Sequence, residues 1–339
     1  MIRTLFRAVS SCARWLPRLA VLAALVALPP QALAKYRTAK STVVAKKKVS
    51  TKALRVRAEP VRPSFGQIYG LHGAPDALEL RSSVALVLDQ DTNEVLLSKN
   101  AQAVLPIASI TKLMTALVVS EAKQPLDEIL TIGAADVDTE KGSRSRLKVG
   151  TRLSREEMLH LALMASENRA ASALGRHYPG GATAFVATMN RKAQSLGMMD
   201  THYVEPTGLS SRNQSSANDL AVLMREADKH ALIRALSTSP EHGVAVGARQ
   251  VSFRNTNGLV RGGEWDIGLQ KTGYIAEAGR CLVMQAQLSG RKLIMVLLDS
   301  TGKYSRIGDA ERIRKWLAEM PAAPHGAAPA ATAVAAPVV

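Results

Sequence analysis

A serine followed three positions later by a lysine can support nucleophilic catalysis. The serine hydroxyl forms a covalent intermediate when a neighbouring base removes its proton, and a lysine can act as that base only while it is neutral. An apolar environment lowers the pKa of a lysine and so favours the neutral form. Residues i and i+3 share one face of a helix, which brings the two groups together. In this chain of 339 residues the spacing begins at Ser109, Ser120, Ser145, Ser289 and Ser300.

Local sequence separates these five serines. Only Ser109 and Lys112 lie inside an otherwise apolar segment, residues 105–119, which contains no acid. The other four pairs lie at a polar helix end, among arginines or in turns, where the lysine should stay hydrated. We therefore predict Ser109 as a nucleophile and Lys112 as its base. Ser109 as the first helical residue would also offer its N–H to a developing oxyanion.

Two further short patterns contain polar side chains that could complete a catalytic site around a serine nucleophile. The pattern Ser-x-Asn begins at Ser98, Ser166, Ser211 and Ser216, and Lys-Thr-Gly occurs once, at residues 271–273. Ser166 and Asn168 interrupt two helical runs, and such a connection can point side chains into a cleft. Lys271 and Gly273 end a predicted strand, where the lysine would be a fixed cation for a carboxylate. The glycine would let a peptide substrate approach the backbone closely.

The elements that must position these groups follow from hydrophobic periodicity. Apolar residues at i, i+3, i+4, i+7 and i+8 from Ile110 predict an amphipathic helix. Ser154 and Glu157 predict a capping box ahead of another helix. A hairpin is predicted over residues 83–98, and strands return at residues 268–272, 280–288 and 292–298. Strands at both ends of a helical middle predict an α/β sandwich with a helical insert.

Charge and composition divide the chain into parts. Residues 1–34 have four arginines, an apolar run and an Ala-Leu-Ala cleavage site, which predict a signal peptide. Residues 35–62 hold ten lysines or arginines against Glu59 alone and predict a flexible basic linker. The formal net charge of +16 is therefore concentrated near the N-terminus, and the near-neutral body disfavours nucleic-acid binding. We expect one catalytic domain over residues 63–320, a disordered Ala/Pro tail over residues 321–339, and Cys281 as a buried apolar residue.

Long segments around these motifs resemble the low-molecular-mass penicillin-binding proteins, and most closely the D-alanyl-D-alanine endopeptidases of Gram-negative bacteria. The similar segments are residues 106–119, 161–181, 204–220 and 270–283. The resemblance covers about residues 65–320. It implies an α/β fold of the β-lactamase/transpeptidase type, with an antiparallel sheet flanked by helices and a mainly helical subdomain.

The resemblance also implies roles for the motif residues. Ser109 would carry the acyl group, Lys112 would accept its proton, Ser166 would relay a proton to the leaving amine, and Asn168 would orient the site. Glu167 is acidic where many relatives differ, and we expect its side chain to point away from the cleft.

The Lys-Thr-Gly motif at residues 271–273 would bind substrate in such a family member. Lys271 would hold the terminal carboxylate of the substrate or polarise Ser166, and Thr272 would donate a hydrogen bond to the substrate. Gly273 would leave room for the substrate backbone. The N–H groups of Ser109 and Tyr274 would form the oxyanion hole.

The function expected from the resemblance is cleavage of the cross-links between D-alanine and diaminopimelate in peptidoglycan. The partners would be peptidoglycan stem peptides and, as covalent inhibitors, β-lactams. Such an enzyme would work in the periplasm as a monomer, without a membrane anchor after signal cleavage. No cofactor is expected, and no metal, since His160 and His177 are 17 residues apart and the zinc pattern His-Glu-x-x-His is missing.

Three other functions stay open on the sequence. A D-alanyl-D-alanine carboxypeptidase would use the same residues, although such relatives commonly add a β-rich domain and a C-terminal amphipathic helix. A β-lactamase would need a positioned base for rapid deacylation, and none can be identified. A catalytically silent peptidoglycan-binding protein would have no use for a serine paired with a desolvated lysine.

Overall fold

The computed structural model describes residues 62–320. The predicted signal peptide, the basic linker up to residue 61 and the Ala/Pro tail lie outside the described residues. No helix within residues 62–320 is both long and apolar enough to cross a bilayer.

The strands run from the start of the described chain to near its end. They are β1 (Ser82–Asp89), β2 (Val95–Lys99), β3 (Leu105–Pro106), β4 (Ile129–Thr131), β5 (Arg152–Ser154), β6 (Gln214–Ser215), β7 (Glu241–Val246), β8 (Arg249–Arg254), β9 (Asp266–Ile275), β10 (Gly279–Leu288) and β11 (Arg291–Ser300).

Five of these strands form the main sheet, in the order β2-β1-β11-β10-β9, and all its neighbours are antiparallel. The predicted hairpin is β1–β2, and it pairs through β1 with β11, the last strand within residues 62–320. The predicted assembly of one sheet from distant segments is confirmed. Short pairs β3–β6 and β4–β5 and the separate hairpin β7–β8 complete the strand pairing.

Of the α-helices within residues 62–320, all but the first and the last lie between β2 and β9. They are α1 (Phe65–Ile68), α2 (Thr111–Glu121), α3 (Arg155–Met164), α4 (Asn168–Arg176), α5 (Gly181–Ser195), α6 (Ala217–Asp228), α7 (Ala231–Thr238), α8 (Gly258–Gly262) and α9 (Ser305–Glu319).

Both faces of the main sheet are covered. Alternate residues of a strand point to opposite faces, so Leu86 packs into the core shared with the helical middle, while Val87 packs into a second core. The second core includes Ile313 of α9. The arrangement is an antiparallel sheet flanked by helices, as predicted. Cys281 is fully buried in β10 and unpaired, as expected.

Helix α2 differs from the amphipathic helix predicted from periodicity. Every residue from Thr111 to Val119 is buried, because α2 is in contact with α3, α4, α5, α6 and α7. A helix enclosed on all sides keeps its polar residues in the interior as well. This placement takes Lys112 out of water.

Candidate active site

Ser109 lies on a tight turn between β3 and α2. Residues Ala108–Ile110 form a single 3-10 turn, so Ser109 precedes the α-helix instead of opening it as predicted. Ala108 has a φ of 47°, which is unfavourable for a residue with a side chain. Gly208 packs so closely that a Cβ there would lie 1.9 Å from the carbonyl oxygen of Ala108. The turn that carries Ser109 is thus fixed from the opposite side by residue 208.

Lys112 is fully buried one helical turn beyond Ser109. Its Nζ donates to Ser109 Oγ at 2.8 Å, to Asn168 Oδ1 at 2.7 Å and to the carbonyl oxygen of Thr207 at 2.6 Å. An ammonium group has three N–H donors, and these three acceptors match them. The amino group is therefore held in one orientation against the serine hydroxyl.

The pKa of Lys112 is lowered to about 7. Burial is the main cause, because the charged form loses its hydration. The carboxylates of Glu205 and Glu167 oppose this shift and favour the charged form. Lys112 is consequently able both to accept and to donate a proton near neutral pH.

Ser166 lies between α3 and α4, where the sequence predicted an interruption, and Asn168 is the first residue of α4. The capping box of Ser154 and Glu157 starts α3 as predicted, and α4 begins at Asn168 itself. Ser166 has a φ of 60°, and its Oγ accepts a hydrogen bond from Lys271 Nζ at 3.0 Å. The break between two helices thus brings Ser166 to Lys271 and Asn168 to Lys112.

Glu167, the middle residue of this motif, directs its carboxylate to a neighbouring segment. Its Oε2 accepts a hydrogen bond from Ser145 Oγ at 2.6 Å, and Asn168 Nδ2 donates to Ser143 Oγ at 2.9 Å. Burial raises the pKa of the Glu167 carboxyl group. Residues 143–145 therefore form a polar edge beside the Ser166 connection.

The Lys-Thr-Gly motif lies within β9, which continues to Ile275, so the motif does not end the strand as predicted. Lys271 is fully buried and also donates to the carbonyl oxygen of Thr272 at 2.8 Å. The hydroxyls of Thr272 and Thr256 are 2.6 Å apart. Tyr274 is half exposed, with its ring under the guanidinium of Arg280.

Gly273 has a structural role that the sequence did not predict. A Cβ at Gly273 would lie 3.0 Å from the carbonyl oxygen of Ile107 and 3.1 Å from the backbone nitrogen of Ser109. Such distances are tighter than ordinary contacts, so the missing side chain lets β9 lie directly against the turn that carries Ser109. All eight residues predicted for the site are brought together around this contact.

Sequence reasoning did not identify Arg306, the second residue of α9. Its Nη1 donates to the carbonyl oxygen of Gly273 at 3.3 Å. Burial lowers the pKa of Arg306, but an arginine remains charged in proteins. The pKa of Lys271 lies well below its usual value because of burial and the nearby charges of Lys112 and Arg306.

Glu205 was also missed, although it organises the loop beneath Lys112. Its carboxylate accepts hydrogen bonds from the backbone N–H groups of Thr207 and Gly208, both at 2.6 Å, and from Asn213 Nδ2 at 2.9 Å. The same loop supplies the Thr207 carbonyl that binds Lys112. The only sequence signal was an acid ahead of a Pro-Thr-Gly turn, which is common in loops without function.

Away from this site, Glu121, Glu226 and His230 could provide a metal ion with three ligand atoms, which lie within 4.8 Å of one another. Lys192 Nζ already lies 2.6 Å from Glu121 and 3.3 Å from Glu226. Its ammonium group balances both carboxylates, so this cluster is an ion-pair network on the helices.

Comparison with known proteins identifies the family of this chain. A family model described as D-alanyl-D-alanine carboxypeptidase matches residues 72–302. The chain belongs to this family. It is therefore a serine-type D-Ala-D-Ala peptidase, called the DD-peptidase below.

The DD-peptidase has close curated relatives. A D-alanyl-D-alanine endopeptidase of Pseudomonas aeruginosa is 50% identical over 247 residues, which are 72% of this chain and 80% of that protein. One from Escherichia coli is 46% identical over 241 residues, 70% of this chain and 78% of that protein.

Solved structures agree with the fold of the DD-peptidase. A DD-transpeptidase from Streptomyces is similar at a TM-score of 0.67 and 27% identity, covering 73% of this chain and 99% of that one. A penicillin-binding protein homologue from Mycobacterium tuberculosis has a TM-score of 0.66 and 26% identity, covering 74% and 95%. The β-lactamase/transpeptidase-type fold expected from the sequence is confirmed.

Proposed function

We propose that the DD-peptidase is an endopeptidase that hydrolyses D-alanyl-diaminopimelate cross-links of peptidoglycan through an acyl-enzyme on Ser109. One observation carries the assignment of the nucleophile. The wholly buried Lys112, with a pKa lowered to about 7, donates a hydrogen bond to Ser109 Oγ at 2.8 Å. The two relatives above, both named D-alanyl-D-alanine endopeptidases, support cross-links as the substrate.

In the proposed acylation step, neutral Lys112 accepts the hydroxyl proton while Ser109 Oγ attacks the carbonyl carbon of D-alanine. The carbonyl electron pair moves onto oxygen, where the N–H groups of Ser109 and Tyr274 would stabilise it. Collapse of this intermediate breaks the C–N bond. Ser166 passes the proton from Lys112 to the leaving amine, which leaves Lys112 neutral again.

Deacylation reuses the same groups. Lys112 accepts a proton from water as the water oxygen attacks the ester carbon. The C–O bond to Ser109 then breaks, and Lys112 returns the proton to Ser109 Oγ. Asn168 keeps the amino group of Lys112 in position through the 2.7 Å hydrogen bond.

Substrate binding in this proposal uses β9 and the start of α9. Lys271 donates to Ser166 Oγ at 3.0 Å, which supports the second of its two expected roles, to polarise Ser166. Arg306 is the permanent cation beside Gly273 and is suited to a substrate carboxylate. Thr272 would bind the same substrate segment.

Two measurements test the proposal. A fluorescent penicillin should label the mature protein at Ser109, and label that persists in Ser109→Ala would remove Ser109 from the mechanism. Purified protein should convert cross-linked muropeptide dimers to monomers faster than it releases D-alanine from a monomeric pentapeptide, followed by mass spectrometry. The opposite order of rates would make the protein a D-alanyl-D-alanine carboxypeptidase, the activity in the family description.

We also propose that residues 1–34 direct export to the periplasm and that the mature chain is a linker, residues 35–62, followed by a catalytic domain, residues 63–320, and a tail. The substrate class supports this location, because peptidoglycan lies outside the cytoplasm. N-terminal sequencing of periplasmic protein should begin at Lys35. A mature protein that starts at Met1 would contradict signal cleavage.

A further inference from the structure

A pocket of about 700 Å³ lies between residues 145–151 and the hairpin β7–β8. We call it the basic pocket. Its apolar lining residues are Val149, Val246, Ala248 and Val251, and its basic ones are Arg146, Lys148 and Arg249. None of the residues that line it is acidic.

Both walls of the basic pocket are joined to the active site. On one wall, Ser145 donates to Glu167, the residue between Ser166 and Asn168. The other wall is the β7–β8 hairpin, and β8 leads within two residues to Thr256, whose hydroxyl lies 2.6 Å from that of Thr272. The basic pocket is thus built on the two segments that also contact Glu167 and Thr272.

Two cations of the basic pocket, Lys148 and Arg249, are available to a ligand. Within residues 62–320, none of the ion pairs of the protein involves Arg146, Lys148 or Arg249. Arg146 is held in place, since its guanidinium stacks on the Phe253 ring at 3.8 Å. Lys148 and Arg249 are exposed at the rim.

We propose that the basic pocket binds the second stem peptide of a cross-linked substrate, the one that is released as the amine. This inference rests on the proposed endopeptidase function. A stem peptide has carboxylates for Lys148 and Arg249 and methyl groups for the valines, so its chemistry complements the pocket in charge and polarity. A terminal D-alanine, the leaving group of a carboxypeptidase, is too short to extend beyond the active site. The pocket thus favours cross-links over pentapeptides.

The test reverses charge at the rim. The variant Lys148→Glu/Arg249→Glu changes two exposed side chains outside the catalytic groups. Its matched control, Arg191→Glu/Lys315→Glu, makes the same change in net charge at exposed positions on α5 and α9. Each exposed charge contributes modestly, so we expect KM for a cross-linked muropeptide dimer to rise about tenfold in the pocket variant, and by less than about twofold in the control. The difference should shrink in added salt.

Acylation by fluorescent penicillin and release of D-alanine from pentapeptide should stay within about twofold of wild type in both variants. An unchanged KM for the dimer would overturn the inference while leaving the endopeptidase proposal intact. An equal loss on dimer and pentapeptide would assign the pocket to the acylating stem instead and overturn it as well. Failure of the wild-type enzyme to cleave dimers, with normal penicillin acylation, would instead refute the endopeptidase function on which the inference rests.

The binding step is measured separately with Ser109→Ala, which cannot acylate. This variant should bind the uncleaved dimer, and the rim reversal added to it should weaken binding about tenfold. Equal affinity of the two proteins for the dimer would contradict the pocket assignment without reference to catalysis.

Discussion

The two lysines near Ser109 are both fully buried, but they lie in opposite electrostatic surroundings. Lys112 faces the carboxylates of Glu205 and Glu167, which limit the effect of burial, and its pKa is about 7. Lys271 faces Lys112 and Arg306, which add to the effect of burial and place its pKa well below the usual value. Burial alone thus does not decide what a lysine does. The nearby carboxylates keep the pKa of Lys112 near neutral pH, where this lysine can both accept and donate a proton.

The largest expected effect comes from replacing Lys112, the proposed base. Lys112→Arg keeps a cation but cannot deprotonate usefully, so acylation by fluorescent penicillin should fall about 10²-fold or more, measured by stopped flow. Lys303→Gln, which removes an exposed cation near α9, is the control and should acylate normally. Near-wild-type acylation by Lys112→Arg would show that Lys112 is not the base, and the proposed difference in role between Lys112 and Lys271 would be wrong.

The pH dependence of the wild-type enzyme tests the same distinction. Acylation needs neutral Lys112, and its pKa is about 7, so the rate should be flat above about pH 7 and fall about tenfold for each unit below it. Burial and the nearby charges of Lys112 and Arg306 lower the pKa of Lys271, so Lys112 is the group assigned to this step. A profile that still rises at pH 9 would mean that Lys112 is charged near neutrality.

The variant Arg306→Gln tests whether the cation near Lys271 binds the substrate. If Arg306 binds the substrate carboxylate, kcat/KM for a peptide with a free C-terminal carboxylate should fall about tenfold, the value of one charge-assisted hydrogen bond. For a peptide with a C-terminal amide, kcat/KM should change little, because this peptide has no carboxylate for Arg306 to bind. Equal losses on both peptides would indicate that Arg306 supports β9 through Gly273 and nothing more.

The smallest effect is a shift in the pH profile. Glu205 favours the charged form of Lys112, so Glu205→Gln should lower the pKa of Lys112 and move the acylation midpoint to lower pH. Glu167→Gln should move it in the same direction by less, because Glu205 has the larger effect on Lys112. A midpoint unchanged in a folded Glu205→Gln protein would show that these charges do not control Lys112.

The sequence predicted the burial of Lys112 and the main sheet better than the local geometry around Ser109. An apolar segment predicted that Lys112 is removed from water, and strands at both ends of a helical middle predicted one sheet assembled from distant segments. The turn before α2 was missed because its φ at Ala108 depends on packing against Gly208, a residue 100 positions away in the sequence. Tertiary contacts of this kind override local preference.

Glu205 and the hairpin β7–β8 could not be predicted for related reasons. Glu205 acts through a carbonyl group 95 residues from Lys112 in sequence, and no spacing rule connects them. In β7 and β8 only Val244 and Phe253 are buried, so the alternation that marks a strand is weak. Strands β1, β9, β10 and β11 of the main sheet are buried more continuously and gave a stronger signal.

The complete enclosure of α2 has a consequence for hydrogen exchange. Amides in a helix that is buried on every side exchange with solvent only when the surrounding structure opens. We expect the amides from Thr111 to Val119 to be among the slowest in the protein and to exchange at the rate of global unfolding. Water should therefore reach the carbon chain of Lys112 only when the protein unfolds, so the lowered pKa of this lysine persists for as long as the fold does.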